Sequence, residues 1–137
     1  MKMDAAALQR FLERDFEQVA DVLRVDSVGD GVTLRFTPDT RHLRPGGTVS
    51  GPSMFMLADV AIYFAILNRI GEVPLTVTTG AHIDFMRKPA AGVDLLAQAK
   101  VLKLGRTLAV GTAALCSAGH DDVVAHAQMT YAIPPKS

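Results

Sequence analysis

The sequence predicts an α+β fold in which a curved antiparallel sheet wraps around one central apolar helix. Three observations carry this expectation. Residues 50–68, SGPSMFMLADVAIYFAILN, are apolar on every side of a helix and hold a single charge, Asp59, so the helix is expected to be surrounded by protein. Residues 75–133 divide into four strand-like segments joined by short connections, which implies antiparallel neighbours. A helix and two further strands precede the apolar helix, so one sheet can be assembled around it.

The first helix follows from Asp4, a capping residue, and from Leu8, Phe11, Leu12, Phe16 and Val19 at spacings of three and four, which puts them on one apolar face. Val32, Leu34 and Phe36 then alternate with Thr33, Arg35 and Thr37, the period of a strand. The turn residues SVGDGV join that strand to another near residues 21–28. Two Pro and two Gly make residues 38–49 a loop. Pro52 suits the first turn of the apolar helix and Gly71 its end. The later strands are expected over 75–86, 93–104, 106–117 and 123–133, punctuated by RKPAAG, LG and SAGHDD. In the last of them Val123, Ala125, Ala127, Met129 and Tyr131 share one face, and His126, Gln128 and Thr130 share the other.

The 137 residues suit a single domain, 1–137, with an N-terminal helix over about 4–18 and a core over about 20–133. Lys plus Arg and Asp plus Glu both number 14, so no global charge points to nucleic acid or an anionic membrane, and a neutral surface favours association. The apolar run Met54–Leu67 is shorter than the roughly 20 residues of a membrane span. With one cysteine, Cys116, no intrachain disulfide can form, and residues 1–20 show no export signal. A cytoplasmic protein is expected. His42, His82, His120 and His126 lack metal-ligand spacing, and no phosphate-binding or dinucleotide motif occurs. Neither a metal nor a cofactor is expected.

GTVSGPSMFMLADVAIYFA, with Gly47, Ser50, Gly51, Pro52 and Asp59, resembles the segment that in acyl-CoA thioesterases of the phenylacetate-degradation type reads Gly-x-x-His-Gly-Gly and continues to an Asp. HIDFMRKPAAGVDLLAQAKVLKLGRTLAVGTAAL is similar to the strands that follow in that family. The resemblance covers roughly residues 28–133 and implies the hotdog fold, a homodimer or homotetramer with its sites at subunit interfaces, and hydrolysis of an acyl-CoA, with CoA entering only as part of the substrate. It implies that the Gly51 N–H polarises the thioester carbonyl, that Asp59 acts as general base or as nucleophile, and that Thr78 stands near the attacking water. Ser50 replaces the family His, Pro52 a Gly, and Arg44 a polar positioning residue.

Helix geometry adds a constraint of its own. Asp59 lies eight residues beyond Gly51, about 12 Å along one helix, too far for one thioester carbon to meet both. Two antiparallel helices from a two-fold dimer would bring one chain's Asp59 to the other's Gly51. Arg44 can bind a ligand carboxylate or phosphate, pair with Asp59 and disable it, or face solvent. Ser50 and Phe55 are further substrate-binding candidates. Arg87, Lys88, Lys103 and above all Arg106 are candidates for the CoA phosphates. Met54, Phe55, Met56 and Tyr63 are candidates for an acyl pocket, with core packing as the ordinary alternative. A non-catalytic acyl- or CoA-binding module, or a structural and partner-binding role, stays open beside hydrolysis.

Overall fold

A computed structural model describes residues 2–135. Its elements are α1 (Ala5–Asp15), α2 (Glu17–Ala20), β1 (Leu23–Gly29), β2 (Gly31–Phe36), a 3-10 turn (Thr40–His42), α3 (Gly51–Ile70), β3 (Val77–Phe85), β4 (Leu95–Leu104), β5 (Leu108–Ser117) and β6 (Val123–Ala132). Every strand pairing is antiparallel, in the order β1-β2-β4-β5-β6-β3. The sheet curls around α3, which packs against β2, β3, β4, β5 and β6. This is the hotdog architecture expected from the sequence.

Asp4 caps α1 by accepting the Ala7 N–H at 2.9 Å, and Leu8, Phe11 and Leu12 face the core. The single helix expected over 4–18 is interrupted at Phe16, whose φ of −129° and ψ of 45° leave the helical region. The break turns the Phe16 ring edge-on to Tyr63, with centroids 6.2 Å apart. The N-terminus is also fastened to α3: Asn68, buried in the core, donates to Met3 O at 2.7 Å and accepts the Lys2 N–H at 2.8 Å.

Two glycines allow close approach, one between neighbouring strands and one between strand and helix. Gly31 closes the β1–β2 hairpin at φ 125°, and a Cβ there would lie 2.2 Å from Ala99 O. At Gly111, where β5 crosses α3, a Cβ would lie 2.6 Å from Ile62 Cγ2. The helix rests on the strand because no side chain intervenes.

The first half of α3 departs from the expectation of a helix surrounded by protein. Val60 to Asn68 are all buried, but Pro52 and Phe55 are exposed and Gly51, Met56 and Asp59 are half-buried. At spacings of four these form one open stripe, which strands of the same chain reach only at its ends, through Phe85 beside Gly51 and through Thr78 and Tyr131 at Asp59. The helix also exceeds the run Met54–Leu67: its 20 residues reach the length and apolarity of a membrane span, while the chain's own sheet buries most of it. The strand beside this stripe, β3, is a sheet edge on which every residue except Ile83 is exposed. Val77 and Phe85 are each 52% exposed, and the adjoining Met86 is 57% exposed. An unpaired edge of this length is a template for pairing with another chain.

Candidate active site

Asp59 projects from the middle of α3 toward the start of β3. The Thr78 hydroxyl donates to Asp59 Oδ1 at 2.7 Å, and the Tyr131 hydroxyl lies 2.5 Å from the same oxygen and 2.7 Å from Asp59 O. Thr78 and Tyr131 sit opposite each other in the β3–β6 register, so adjacent strands present two hydroxyls side by side. A register shift between Thr78 and Gly80 lets Thr78 share the inner face with Tyr131 while Gly80 aligns with Thr130 on the outer one. Tyr131 is 1% exposed. Burial, then the neighbouring Asp59 charge, holds its phenol well above the ordinary tyrosine range.

The cavity beside Asp59 has a volume of about 360 Å³. Phe11 and Phe16 from the N-terminal helices, Val60 and Tyr63 from α3, and Pro74 and Val77 before and on β3 form its apolar wall. The Tyr63 hydroxyl donates to Pro74 O at 2.9 Å; burial, with Asp15 and Glu72 adding, pushes its pKa up to about 12. Thr76 also lines this cavity, and its buried hydroxyl has no hydrogen-bond partner among the described residues.

Gly51 belongs to a second cavity of about 330 Å³, bordered by Arg44, Thr48, Met54, Phe85, Arg87 and Lys88. The first turn of α3 leaves one backbone donor there. Ser50 Oγ accepts the Ser53 N–H at 3.3 Å, Ser50 O accepts the Met54 N–H at 3.1 Å, and Pro52 has no N–H. The Gly51 N–H has no acceptor among the described residues. It points outward at the positive end of the helix dipole. The Phe85 ring borders it, and a Cβ added to Gly51 would meet that ring at 3.4 Å.

The sequence candidates are therefore distributed between two places. Asp59 and Thr78 meet at the first cavity; Gly51, Arg44 and Arg87 meet at the second. Ser50 caps the helix between them and hydrogen-bonds Ser53 Oγ at 3.0 Å. Arg44 is held on its loop by its own N–H to Thr48 O at 2.8 Å, and within one chain it borders Gly51 rather than Asp59. Arg87 pairs with Asp122 at 3.1 Å. Phe55 lies on the open stripe of α3. Arg106 is exposed in the turn before β5, at the Asp59 end of the sheet, where Leu108 pairs with Ala132 and Ala132 with Val77. Of the acyl-pocket candidates, Tyr63 lines the Asp59 cavity and Met54 the Gly51 cavity, while Met56 lies half-buried on the open stripe. In the sequence Tyr131 is legible only as a residue sharing one strand face with Val123, Ala125, Ala127 and Met129. The signal for more was its hydroxyl, which a buried Tyr must partner.

Residues 46–124, more than half of the chain, match the family model of the Thioesterase superfamily. The chain belongs to that superfamily, whose chemistry is thioester hydrolysis. A Pseudomonas aeruginosa protein named a putative esterase is 34% identical over 104 residues, spanning 75% of this chain and 74% of that one. The crystal structure of a putative thioesterase from Silicibacter sp. TM1040 superposes with a TM-score of 0.90 at 52% identity, covering 97% of this chain and 93% of its own. The phenylacetic acid degradation protein of Thermus thermophilus shares the fold, with a TM-score of 0.72 at 24% identity over 87% of this chain and 97% of its own.

Proposed function

We propose that this protein hydrolyses an acyl-CoA to the free acid and CoA, as a homodimer or homotetramer whose sites lie between two copies of the chain. The observation that carries this reading is Asp59, a carboxylate held by two hydroxyls at the edge of an apolar cavity. The acyl group would occupy that cavity. The thioester carbonyl would accept the Gly51 N–H of the other copy, a donor that strengthens as the oxygen becomes an oxyanion. Arg44, Arg87 and Lys88 around Gly51 would face the phosphates of CoA.

The register of β3 favours this composite site. The strand runs from Val77 to Phe85 and is centred on Ala81. Antiparallel pairing of two β3 edges about that centre sets residue 78 opposite residue 84, next to the Phe85 that borders Gly51. The Asp59 corner of one copy then adjoins the Gly51 corner of the other, which removes the separation of about 12 Å along a single helix. The open stripe of α3 and the apolar edge residues Val77, Phe85 and Met86 would be covered by the same association.

Chemically, Asp59 takes a proton from water as the water oxygen adds to the carbonyl carbon. Collapse of the tetrahedral intermediate breaks the C–S bond and expels the CoA thiolate, which takes the proton back. Attack by the carboxylate itself would instead form an acyl anhydride that water then opens. Free-thiol release from a panel of aromatic, short-chain and long-chain acyl-CoAs tests the reading, with turnover of at least one class expected. Thermal stabilisation by CoA or acyl-CoA without any thiol release would replace it with non-catalytic binding.

A further inference from the structure

We infer that Tyr131 is a positioning residue: with Thr78 it holds Asp59 by one carboxylate oxygen, Oδ1, and leaves Oδ2 as the oxygen that meets water or the thioester carbon. The inference rests on the proposed hydrolysis and assigns a division of labour within the carboxylate that neither the family nor the sequence supplied.

The geometry is asymmetric. Both hydroxyls converge on Oδ1, at 2.7 Å from Thr78 and 2.5 Å from Tyr131, and Oδ2 receives no hydrogen bond among the described residues. Tyr131 has one proton and two oxygens within reach, Oδ1 and the Asp59 carbonyl. The carbonyl belongs to the interior of α3, where it serves the helix ladder. The carboxylate oxygen carries charge and gives the stronger bond. Tyr131 stays protonated, and so stays a donor, because burial and the adjacent carboxylate both oppose its ionisation.

The ring is locked as well. Tyr131 is 1% exposed and paired on both sides, to Thr78 of β3 and Ala109 of β5. A donor on so buried a ring, in an interior strand, cannot swing away, so the carboxylate is oriented before substrate arrives. The other titratable groups bordering the cavity are Asp15 of α1, already hydrogen-bonded by Arg14 at 2.7 Å, and Tyr63 of α3, engaged with Pro74 O.

The experiment is Tyr131→Phe, which keeps the ring and removes the hydroxyl, read by kinetics and by the ¹³C carboxylate resonance of Asp59 at one fixed pH. The expected result is a kcat lower by about 10- to 100-fold with a KM within about twofold. The Asp59 resonance shifts. A folded Tyr131→Phe protein with an unmoved Asp59 resonance overturns the role, whatever wild type hydrolyses. A shifted resonance in a wild-type background that cleaves no acyl-CoA upholds the donor role and overturns the hydrolase reading. If Tyr131→Phe does not fold, site-specific replacement of Tyr131 by a ring-fluorinated tyrosine substitutes for it. This makes the phenol a stronger donor, so the resonance is expected to move in the opposite sense, and the absence of movement overturns the role.

Discussion

At Asp59 the groups that hold the carboxylate all come from its own chain: Thr78 from β3 and Tyr131 from β6 lie within 2.7 Å of one oxygen, and α1 and α2 help to enclose the cavity beside it. At Gly51, eight residues earlier on the same helix, the reverse holds. Its N–H meets no acceptor among the described residues, and three cations border the space in front of it. The carboxylate corner is built before anything binds, and the amide corner presents unspent donors to whatever arrives. A reaction that uses a carboxylate proton acceptor and an oxyanion donor together needs both corners, which on α3 face different cavities. Under the proposed hydrolysis, chemistry falls to one corner and recognition with polarisation to the other, and each can be broken separately.

The largest effect is expected at the built corner. Asp59→Asn keeps size and hydrogen-bonding capacity but removes the proton acceptor, so thiol release should fall by about 10³-fold or more. The oligomeric state and the melting temperature should stay near wild type, which gel filtration and a thermal scan would check. An Asp59→Asn protein with wild-type turnover would end the assignment of chemistry to this corner.

Next comes the amide corner, where one substitution removes the donor. Gly51 is the first residue of α3, and Ser50 before it is extended at φ −74° and ψ 157°, the backbone that a following proline requires. Proline at the first helical position costs little, because that N–H has no partner in the helix. Gly51→Pro should thus lower kcat by about 10²- to 10³-fold, the loss typical of an oxyanion donor. Gly51→Ala retains the N–H and adds a methyl that meets Phe85 at 3.4 Å, an ordinary contact, and its kcat should stay within about tenfold. If the two variants behave alike, the N–H has no part in the reaction.

Most of the fold could be read from the chain because its signals are local. Pro52 and Gly71 bracket α3, and the alternation of Val32, Leu34 and Phe36 gives β2 and its buried face. Asp59 was visible as the one charge in an apolar run, and Gly51 as a residue at the helix start. Tyr131 was hidden because its partner lies 72 positions away, and alternation on a strand records which way a side chain points but not what it meets across the core. The open stripe on α3 was hidden for a related reason. Pro52, Phe55 and Met56 are as apolar as residues facing the sheet, and composition cannot tell a face buried in one chain from a face kept for another.

A smaller effect is expected from the cations. Arg44 borders the Gly51 cavity without an ion pair among the described residues, whereas Arg87 already pairs with Asp122 at 3.1 Å. Arg44→Ala should raise KM for CoA esters by about three- to tenfold, more at low salt than at high salt, with kcat nearly unchanged. Arg87→Ala should raise it less. Steady-state kinetics at two ionic strengths separates these outcomes from the alternative in which Arg44 of one copy restrains Asp59 of the other. In that case Arg44→Asn would gain activity on simple acyl-CoAs.

The smallest effect tests whether Ser50 belongs to the chemistry or to the scaffold. Its hydroxyl accepts the Ser53 N–H at 3.3 Å and donates to Ser53 Oγ at 3.0 Å, so it is spent on starting the helix that carries Gly51. Ser50→Ala removes the cap from a half-buried position, which should cost about 0.5–1 kcal/mol and lower the melting temperature by a few degrees, about 2–4 °C. The Gly51 N–H keeps its place, because Met54 still donates to the Ser50 carbonyl, so kcat/KM should change by less than about twofold. A Ser50→Ala protein that melts like wild type but loses most of its kcat/KM would place this hydroxyl on the substrate. The amide corner would then be built from a side chain as well as from the helix end.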